Sequence, residues 1–393
     1  MSTEPLQRIV RVRRDYNRWV ASETMEDYAL RYTARRFRRW SPGRVANTAL
    51  GVSSFLVLEA VGASLLVQFG FVNAAWAIVA AGALIFLIGW PISMAAARHG
   101  VDMDLLTRGA GFGYIGSTVT SLIYASFTFI FFALEAAVMA YALELAFGIP
   151  PAWGYGVCAL VVIPLVIHGI TAISRFQVWT QPIWLSLMVV PFVGVLVQAP
   201  NAFEGLSVYA GAGGTYAGFD SLAFGTALTV GLALVTQMGE QADYLRFMPP
   251  ARPGQAGRWR MAVLIGGVGW VLIGVLKMLG GAALAWLAIG HQVPPERAVD
   301  PNQMYLVAYE YLLPHEWAVW ATALFVVISQ LKINVTNAYA GSLAWSNFFS
   351  RWTHSHPGRV VWVVFNIGIA LLLMEMNVFD AMSQVLGIYA NLA

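Results

Sequence analysis

Long apolar stretches follow one another along this chain, and the basic charge lies almost entirely between them. A run of about 18 or more apolar residues is long enough to cross a bilayer as an α-helix. Only 11% of the residues are charged, against roughly 25% in a soluble domain. The pattern predicts an all-α polytopic membrane protein with ten visible helices. The apolar stretches lie at 46–70, 73–97, 117–147, 153–173, 178–199, 221–246, 260–290, 316–345, 358–378 and 381–393.

The arginines between the stretches predict how the chain is oriented. If the N-terminus is cytoplasmic, the loops after the even-numbered stretches are cytoplasmic as well, and the opposite loops hold only Arg297. Arginine and lysine are enriched in the cytoplasmic loops of helical membrane proteins. We therefore expect a multi-pass protein of the inner membrane with a cytoplasmic N-terminus. The cytoplasmic arginines are Arg98, Arg108, Arg175, Arg246, Arg252, Arg258, Arg260, Arg351 and Arg359.

Two parts of the chain differ in composition. Residues 1–44 are polar and rich in arginine, which predicts a cytoplasmic basic arm, whereas 45–393 form a transmembrane domain. Within the arm, residues 25–40 form either a basic helix at an anionic lipid surface or a solvated segment. The last apolar stretch stops at Ala393, too short to span. We expect that the tenth helix is incomplete and that the chain is a fragment of a longer polypeptide.

The two lysines of the chain, Lys277 and Lys332, both lie inside apolar stretches. A charge at the bilayer centre costs roughly 2.5–3.5 kcal/mol on insertion scales, so a partner or a function must offset that cost. Lys332 lies on a polar face between Gln330 and Asn337 in the eighth stretch, which indicates a substrate or ion site. We expect Lys277 to be structural or near an interface.

Further polar residues lie deep in the first, third, sixth and eighth stretches. In the first stretch, Gly62 and Ser64 favour local unwinding near Glu59. Several buried carboxylates and an ammonium cannot all remain charged in a dry interior, so some must pair or hold a proton. A structural salt bridge, such as Lys332 with Glu59, is the alternative for a single residue, but the set indicates a binding site. Its candidate members are Glu59, Phe131, Glu135, Gln237, Glu240, Gln241, Asn334 and Asn337 for the substrate, and Lys332 and Glu59 for cation or proton coupling.

Other functions find little support in the sequence. Gly111–Gly116 fits the dinucleotide pattern G-x-G-x-x-G, but that pattern requires a preceding strand, so we predict no nucleotide site. The histidines lack the spacing of metal ligands, and we expect neither a metal nor a cofactor. A nucleophile–base pair is missing too, which argues against an enzyme. Asp243 and Arg246 lie near the cytoplasmic end of the sixth stretch, where an ion pair between them would form an inner gate.

Four ordered motifs resemble the nucleobase:cation symporter-1 family, which includes purine, cytosine, allantoin and hydantoin permeases. The motifs are Pro91–Arg98, Leu106–Ser117, Asp243–Phe247 and Asn334–Ser342.

The resemblance implies the LeuT-type fold, a five-plus-five inverted repeat, with substrate between the broken helices one and six and the helices three and eight. By the same resemblance, Phe131 and Glu135 stand where relatives often have tryptophan and glutamine, and Asn337 matches the substrate asparagine of helix eight. Lys332 stands where sodium-coupled relatives have hydroxyl residues, which indicates sodium-independent transport. Protons rather than sodium are the open alternative for the coupling ion.

The predicted function is that of a secondary transporter, a permease or symporter of a nucleobase or a similar small nitrogenous heterocycle. We expect it to work by alternating access with Lys332 at the cation position. Its partners would be a small-molecule substrate and membrane lipid, not nucleic acid. Two alternatives remain open: a transporter-like sensor domain of a longer signalling protein, with a fused C-terminal domain outside this chain, and a permease for a cationic amine.

Overall fold

A computed structural model describes residues 22–30 and 32–392. This part of the chain is helical and contains no β-strand. Six helical spans within it are long and apolar enough to cross a membrane. The prediction of an all-α multi-pass membrane protein is therefore confirmed. The arginines of the predicted arm up to residue 21, together with Arg31, lie outside the described residues.

The helices follow the predicted apolar stretches closely, although several stretches divide into two helices. We number the main helices in chain order. They are α1 (Pro42–Leu50), α2 (Val57–His99), α3 (Gly113–Phe147), α4 (Pro151–Ile167), α5 (Gly169–Gln198), α6 (Ser221–Leu232), α7 (Gln237–Leu245), α8 (Ala256–Gly266), α9 (Gly269–Gly290), α10 (Pro301–Glu310), α11 (His315–Trp352), α12 (Arg359–Glu375) and α13 (Met382–Ala390).

The first apolar stretch is interrupted between α1 and α2. A 3₁₀ turn occupies Gly51–Ser54, and Phe55 has a non-helical backbone with φ −59° and ψ 130°. The sixth stretch is interrupted in a similar way, by a 3₁₀ turn at Ala233–Thr236 between α6 and α7. Backbone groups freed within a membrane span must find partners inside the protein. These two interruptions are therefore the places where side chains from other helices are needed.

The helix α2 contains the rest of the first stretch and all of the second. Its backbone turns between the two stretches at Gly70, where φ is +71°. The predicted unwinding at Gly62 and Ser64 is wrong, since both lie in regular helix and the interruption comes earlier. Gly62 instead allows α2 to approach α9. A Cβ atom at this position would stand 1.9 Å from the carbonyl oxygen of Met278. Gly281 of α9 approaches the backbone of Glu59 in the same way.

The described part of the arm packs against one end of the helices. A short helix covers Glu23–Glu26, and positive φ angles at Asp27, Tyr28 and Leu30 end it. The continuous basic helix considered for 25–40 is therefore not formed. Two buried arginines hold this segment by its backbone: Arg246 Nη2 donates to Asp27 O at 2.8 Å, and Arg359 Nε donates to Met25 O at 2.7 Å.

The carboxyl group of Asp27 is buried by this packing. Its Oδ2 accepts the backbone N–H of Ile170, at the beginning of α5, at 2.5 Å. Burial raises the pKa of Asp27 from 3.8 to about 6, although Arg359 and the bond to Ile170 act in the opposite direction. In the folded protein this carboxyl group therefore takes up a proton at a higher pH than in the unfolded chain.

Replacing Gly62 with alanine should destabilise the protein, because the added methyl group would collide with the Met278 backbone. Overpacking of this kind costs about 1–3 kcal/mol, whereas alanine otherwise favours a helix by about 1 kcal/mol over glycine. Gly368→Ala in α12 is the matched control, since a Cβ there meets no atom within 4 Å. Thermal unfolding in detergent should show a lower Tm for Gly62→Ala alone. Equal Tm values for the two variants would contradict the close approach.

The burial of Asp27 predicts a pH dependence of stability. Because its pKa is raised in the folded state, the protein binds more protons than the unfolded chain between pH 6 and pH 4, and stability rises as pH falls. Between pH 7 and pH 5 this contribution is about 1 kcal/mol. Asp27→Asn should lose this contribution. From pH 7 to pH 5, the Tm of the wild type should therefore rise relative to that of the variant. Identical pH profiles would show that the carboxyl group is solvated.

Candidate substrate site

The interruption between α1 and α2 is satisfied by side chains of three other helices. The backbone N–H of Leu56 donates to Glu135 Oε2 of α3 at 3.2 Å and to Gln330 Oε1 of α11 at 3.4 Å. On the other side, the carbonyl oxygens of Ser53 and Phe55 accept hydrogen bonds from Lys277 Nζ of α9, at 2.9 and 2.7 Å. An acceptor pair thus meets the free N–H, and an ammonium meets the free carbonyls.

Lys277 also forms the ion pair of this region. Its Nζ lies 3.3 Å from Glu59 Oε2, and the other carboxylate oxygen accepts the hydroxyl of Tyr305 at 3.1 Å. Only 5% of the surface of Lys277 is exposed, and its contacts fit the structural role that was one of the two expectations for it. The alternative of a salt bridge between Glu59 and Lys332 is not formed, because Lys277 takes that role.

Lys332 points to a different helix. Its Nζ donates to Gln177 Oε1 at 2.7 Å, to Gln177 O at 3.2 Å and to Thr180 Oγ1 at 3.2 Å, all on α5. Gln177 Nε2 in turn donates to Lys332 O at 2.7 Å. Neutral oxygens therefore surround this fully buried ammonium, and they join α11 to α5.

The remaining predicted site residues lie on α3, α7 and α11. Gln237 Nε2 donates to Glu240 Oε2 at 2.8 Å, which joins two predicted site residues of α7. On α11, Asn337 Nδ2 donates to Asn334 Oδ1 at 3.4 Å. The helix α7 packs against α11, and α3 packs along most of α11. Phe131 of α3 contacts Phe55 at the interruption, with ring centroids 6.4 Å apart.

The predicted substrate residues are closed to solvent, since none is more than 1% exposed. Several of their polar atoms make no hydrogen bond to the described chain. A buried donor or acceptor without a partner costs about 1–3 kcal/mol, so such atoms are uncommon and need an explanation. Apart from Glu59 Oε2, which is ion-paired with Lys277, they come from three helices and include both donors and acceptors. They are Glu135 Oε1, Glu240 Oε1, Gln241 Oε1 and Nε2, Asn334 Nδ2 and Asn337 Oδ1.

The two predicted gate residues are both buried near the end of α7, but they do not pair with each other. Asp243 Oδ2 accepts the hydroxyl of Tyr124 at 2.8 Å. Arg246 Nη1 lies 3.8 Å from Asp102 Oδ2, and its Nη2 donates to Tyr339 at 2.9 Å. Arg246 therefore forms its ion pair with Asp102, between α2 and α3, and not with Asp243.

Three residues that complete these contacts were not predicted from the sequence. Lys277 was singled out as one of only two lysines, but its partners were not predicted. Gln177 and Tyr305 lay outside the predicted stretches, where polar residues are common and do not indicate a site. Asp102 lay in a short loop. For these three, only the packing of helices distant in sequence shows the role.

Similarity to known proteins is confined to structure. No protein-family model and no curated protein sequence matches the chain. Mhp1, a nucleobase-cation-symport-1 family transporter solved in a closed conformation with bromovinylhydantoin bound, matches with a TM-score of 0.66 and 18% identity. This match covers 93% of the chain and 77% of Mhp1.

Two other transporters match less well. A Na⁺-coupled sialic acid symporter in an outward-open state has a TM-score of 0.59 at 14% identity, over 95% of this chain and 79% of its own. The Eremococcus coleocola manganese transporter has a TM-score of 0.54 at 12% identity, over 89% and 74%. At these identities the likeness establishes the fold. The chain thus has the membrane-transporter fold of Mhp1, as its resemblance to the nucleobase:cation symporter-1 family predicted.

Proposed function

We propose that this protein is a secondary transporter of a nucleobase or a similar small nitrogenous heterocycle. The observation that carries the proposal is the set of buried polar atoms on α3, α7 and α11 that have no partner in the described chain. Polar groups inside a transmembrane domain are costly and mark substrate pathways. A polar ligand bound among these helices would supply the missing hydrogen bonds.

The chemistry of these atoms favours a heterocycle with both donors and acceptors. Glu135 and Glu240 can accept from ring N–H and exocyclic amino groups, whereas the amides of Gln241 and Asn334 can donate to ring nitrogens or carbonyl oxygens. Phe131 offers an aromatic side chain for a planar ring. A cationic amine would satisfy the carboxylates but would leave the amide donors unpaired, which makes it the second candidate.

The transport cycle follows from the interrupted helices and the closed site. We infer a five-plus-five inverted repeat in which the interruption at Gly51–Ser54 and that at Ala233–Thr236 occupy corresponding positions. Because the site residues are shielded from solvent, the helices must open alternately to either side. We place the N-terminal arm, 1–44, in the cytoplasm and the transmembrane domain, 45–393, in the inner membrane. Arg246 and Asp102, with Asp243 nearby, would then form the inner gate.

Sodium independence is the second element of the proposal. Lys332 stands where sodium-coupled relatives have hydroxyl residues, and its ammonium is surrounded by oxygens of Gln177 and Thr180. A compact ammonium can take the place of a small cation among such ligands. Protons carried by buried carboxylates such as Glu59 are then the candidates for coupling.

A ligand screen tests the proposal directly. Purified protein should be stabilised by a purine, pyrimidine or ureide to the same extent in sodium chloride and choline chloride. A ligand at a hundred times its Kd adds about 2.7 kcal/mol, which is measurable as a shift in Tm. Sodium-dependent binding that survives Lys332→Ala would refute sodium independence. A shift with amines alone would favour the cationic-amine permease, and binding without uptake into proteoliposomes would favour a sensor.

Glu135→Gln should weaken binding of the stabilising ligand by more than tenfold, because the amide keeps an oxygen for Leu56 N–H but loses the charged acceptor. Glu375→Gln is the matched control, since Glu375 is exposed at the end of α12. Titration of the ligand by calorimetry or thermal shift measures both affinities. Equal affinities for the two variants would remove Glu135 from the substrate site.

A further inference from the structure

The ammonium of Lys277 is enclosed by oxygens of a single short segment at the interrupted first helix. Its Nζ lies 2.9 Å from Ser53 O, 2.7 Å from Phe55 O and 3.3 Å from Glu59 Oε2. Two of its N–H groups donate to the carbonyls, and the Glu59 carboxylate lies within ion-pair distance. The side chain itself comes from α9, on the far side of the close contact between α9 and α2.

The same oxygens have the chemistry of a small-cation site. Two backbone carbonyls from an unwound helix and one carboxylate are hard oxygen ligands, and unwound carbonyls coordinate Na⁺ in transporters with broken helices. Two of them are backbone atoms that the interruption of the helix leaves free. Without a positive charge, both carbonyls would lose their hydrogen-bond donor, and the buried Glu59 carboxylate would keep only the Tyr305 hydroxyl. The segment therefore favours a cation, whichever group provides it.

We propose that Lys277 fills a latent monovalent-cation site with its own ammonium and thereby makes the interrupted helix independent of a dissolved ion. This inference rests on the proposed transporter function and deepens it. Because the ammonium is covalently attached to α9, it cannot leave to either side of the membrane. The positive charge stays at the interruption throughout the cycle, and sodium binding at this position is replaced by a permanent contact between α9 and the first helix.

The other buried lysine, Lys332, differs from Lys277 in that no carboxylate contacts its ammonium. Lys332 contacts the oxygens of Gln177 and Thr180 on α5, and none of them is a carboxylate or part of the interruption. Loss of its ammonium leaves no buried anion uncompensated. Lys332 stands at the cation position of the proposed function, so the matched control is Met278→Ala, which removes a long buried side chain from α9 and no charge.

The experiment measures the response of Lys277→Ala to sodium in the absence of any heterocycle. Thermal unfolding is recorded in 200 mM sodium chloride and in 200 mM choline chloride, about equal in ionic strength. The variant should have a Tm at least about 3 °C higher in sodium, whereas the wild type and Met278→Ala should show no difference. Lithium and potassium chloride then define the size of ion that the site accepts.

Removal of the carboxylate provides the second test. Lys277→Ala combined with Glu59→Gln should show no sodium response, because the remaining carbonyls carry no net charge to hold the ion. If Lys277→Ala is recovered only from membranes solubilised in sodium chloride, that rescue is itself the expected result.

The same Tm in both salts would overturn the proposal, and so would failure to recover the variant in either. The readout contains no substrate, so a failed heterocycle screen would leave this result unaffected.

Discussion

The interruption of the first transmembrane helix is the constraint on which the interior of this protein depends. A bilayer offers no water to the backbone groups that such an interruption releases, so they must be satisfied by the protein itself. Leu56 N–H is met by Glu135 and Gln330, and the carbonyls of Ser53 and Phe55 are met by Lys277. The polar residues of α3, α9 and α11 thus have a structural reason to converge on one point.

Convergence of this kind also explains why a structural and a functional role coincide. Glu135 uses one carboxylate oxygen to hold the interrupted helix and keeps the other without a partner in the described chain. Glu59 divides its two oxygens between Lys277 and Tyr305. In the proposed transporter, a ligand that bonds to either residue would act on the groups that fix the interruption. Binding and helix movement would then be coupled through the same few atoms.

The sequence allowed the helices to be located, and its family resemblance predicted breaks in helices one and six, but not the position of the first break. Apolar length determines where a span lies, and the structure follows those stretches within a few residues. Gly62 was expected to unwind the helix, yet a glycine in a membrane helix can instead allow a neighbour to approach, and it does so here with Met278. The interruption is satisfied by contacts from distant helices, including Lys277, and such contacts leave no local pattern in the sequence. Composition likewise identified the polar residues without identifying their partners.

The docking of residues 25–28 has a consequence for the order in which the molecule assembles. Arg359 reaches Met25 O across 334 positions of the chain, and Arg246 reaches Asp27 O across 219. Contacts between such distant residues cannot form until the later one has been synthesised and placed. Full docking of the segment therefore requires Arg359, the first residue of α12, to be in place. Protection of this segment from protease would then mark molecules in which the chain is assembled at least as far as the start of α12.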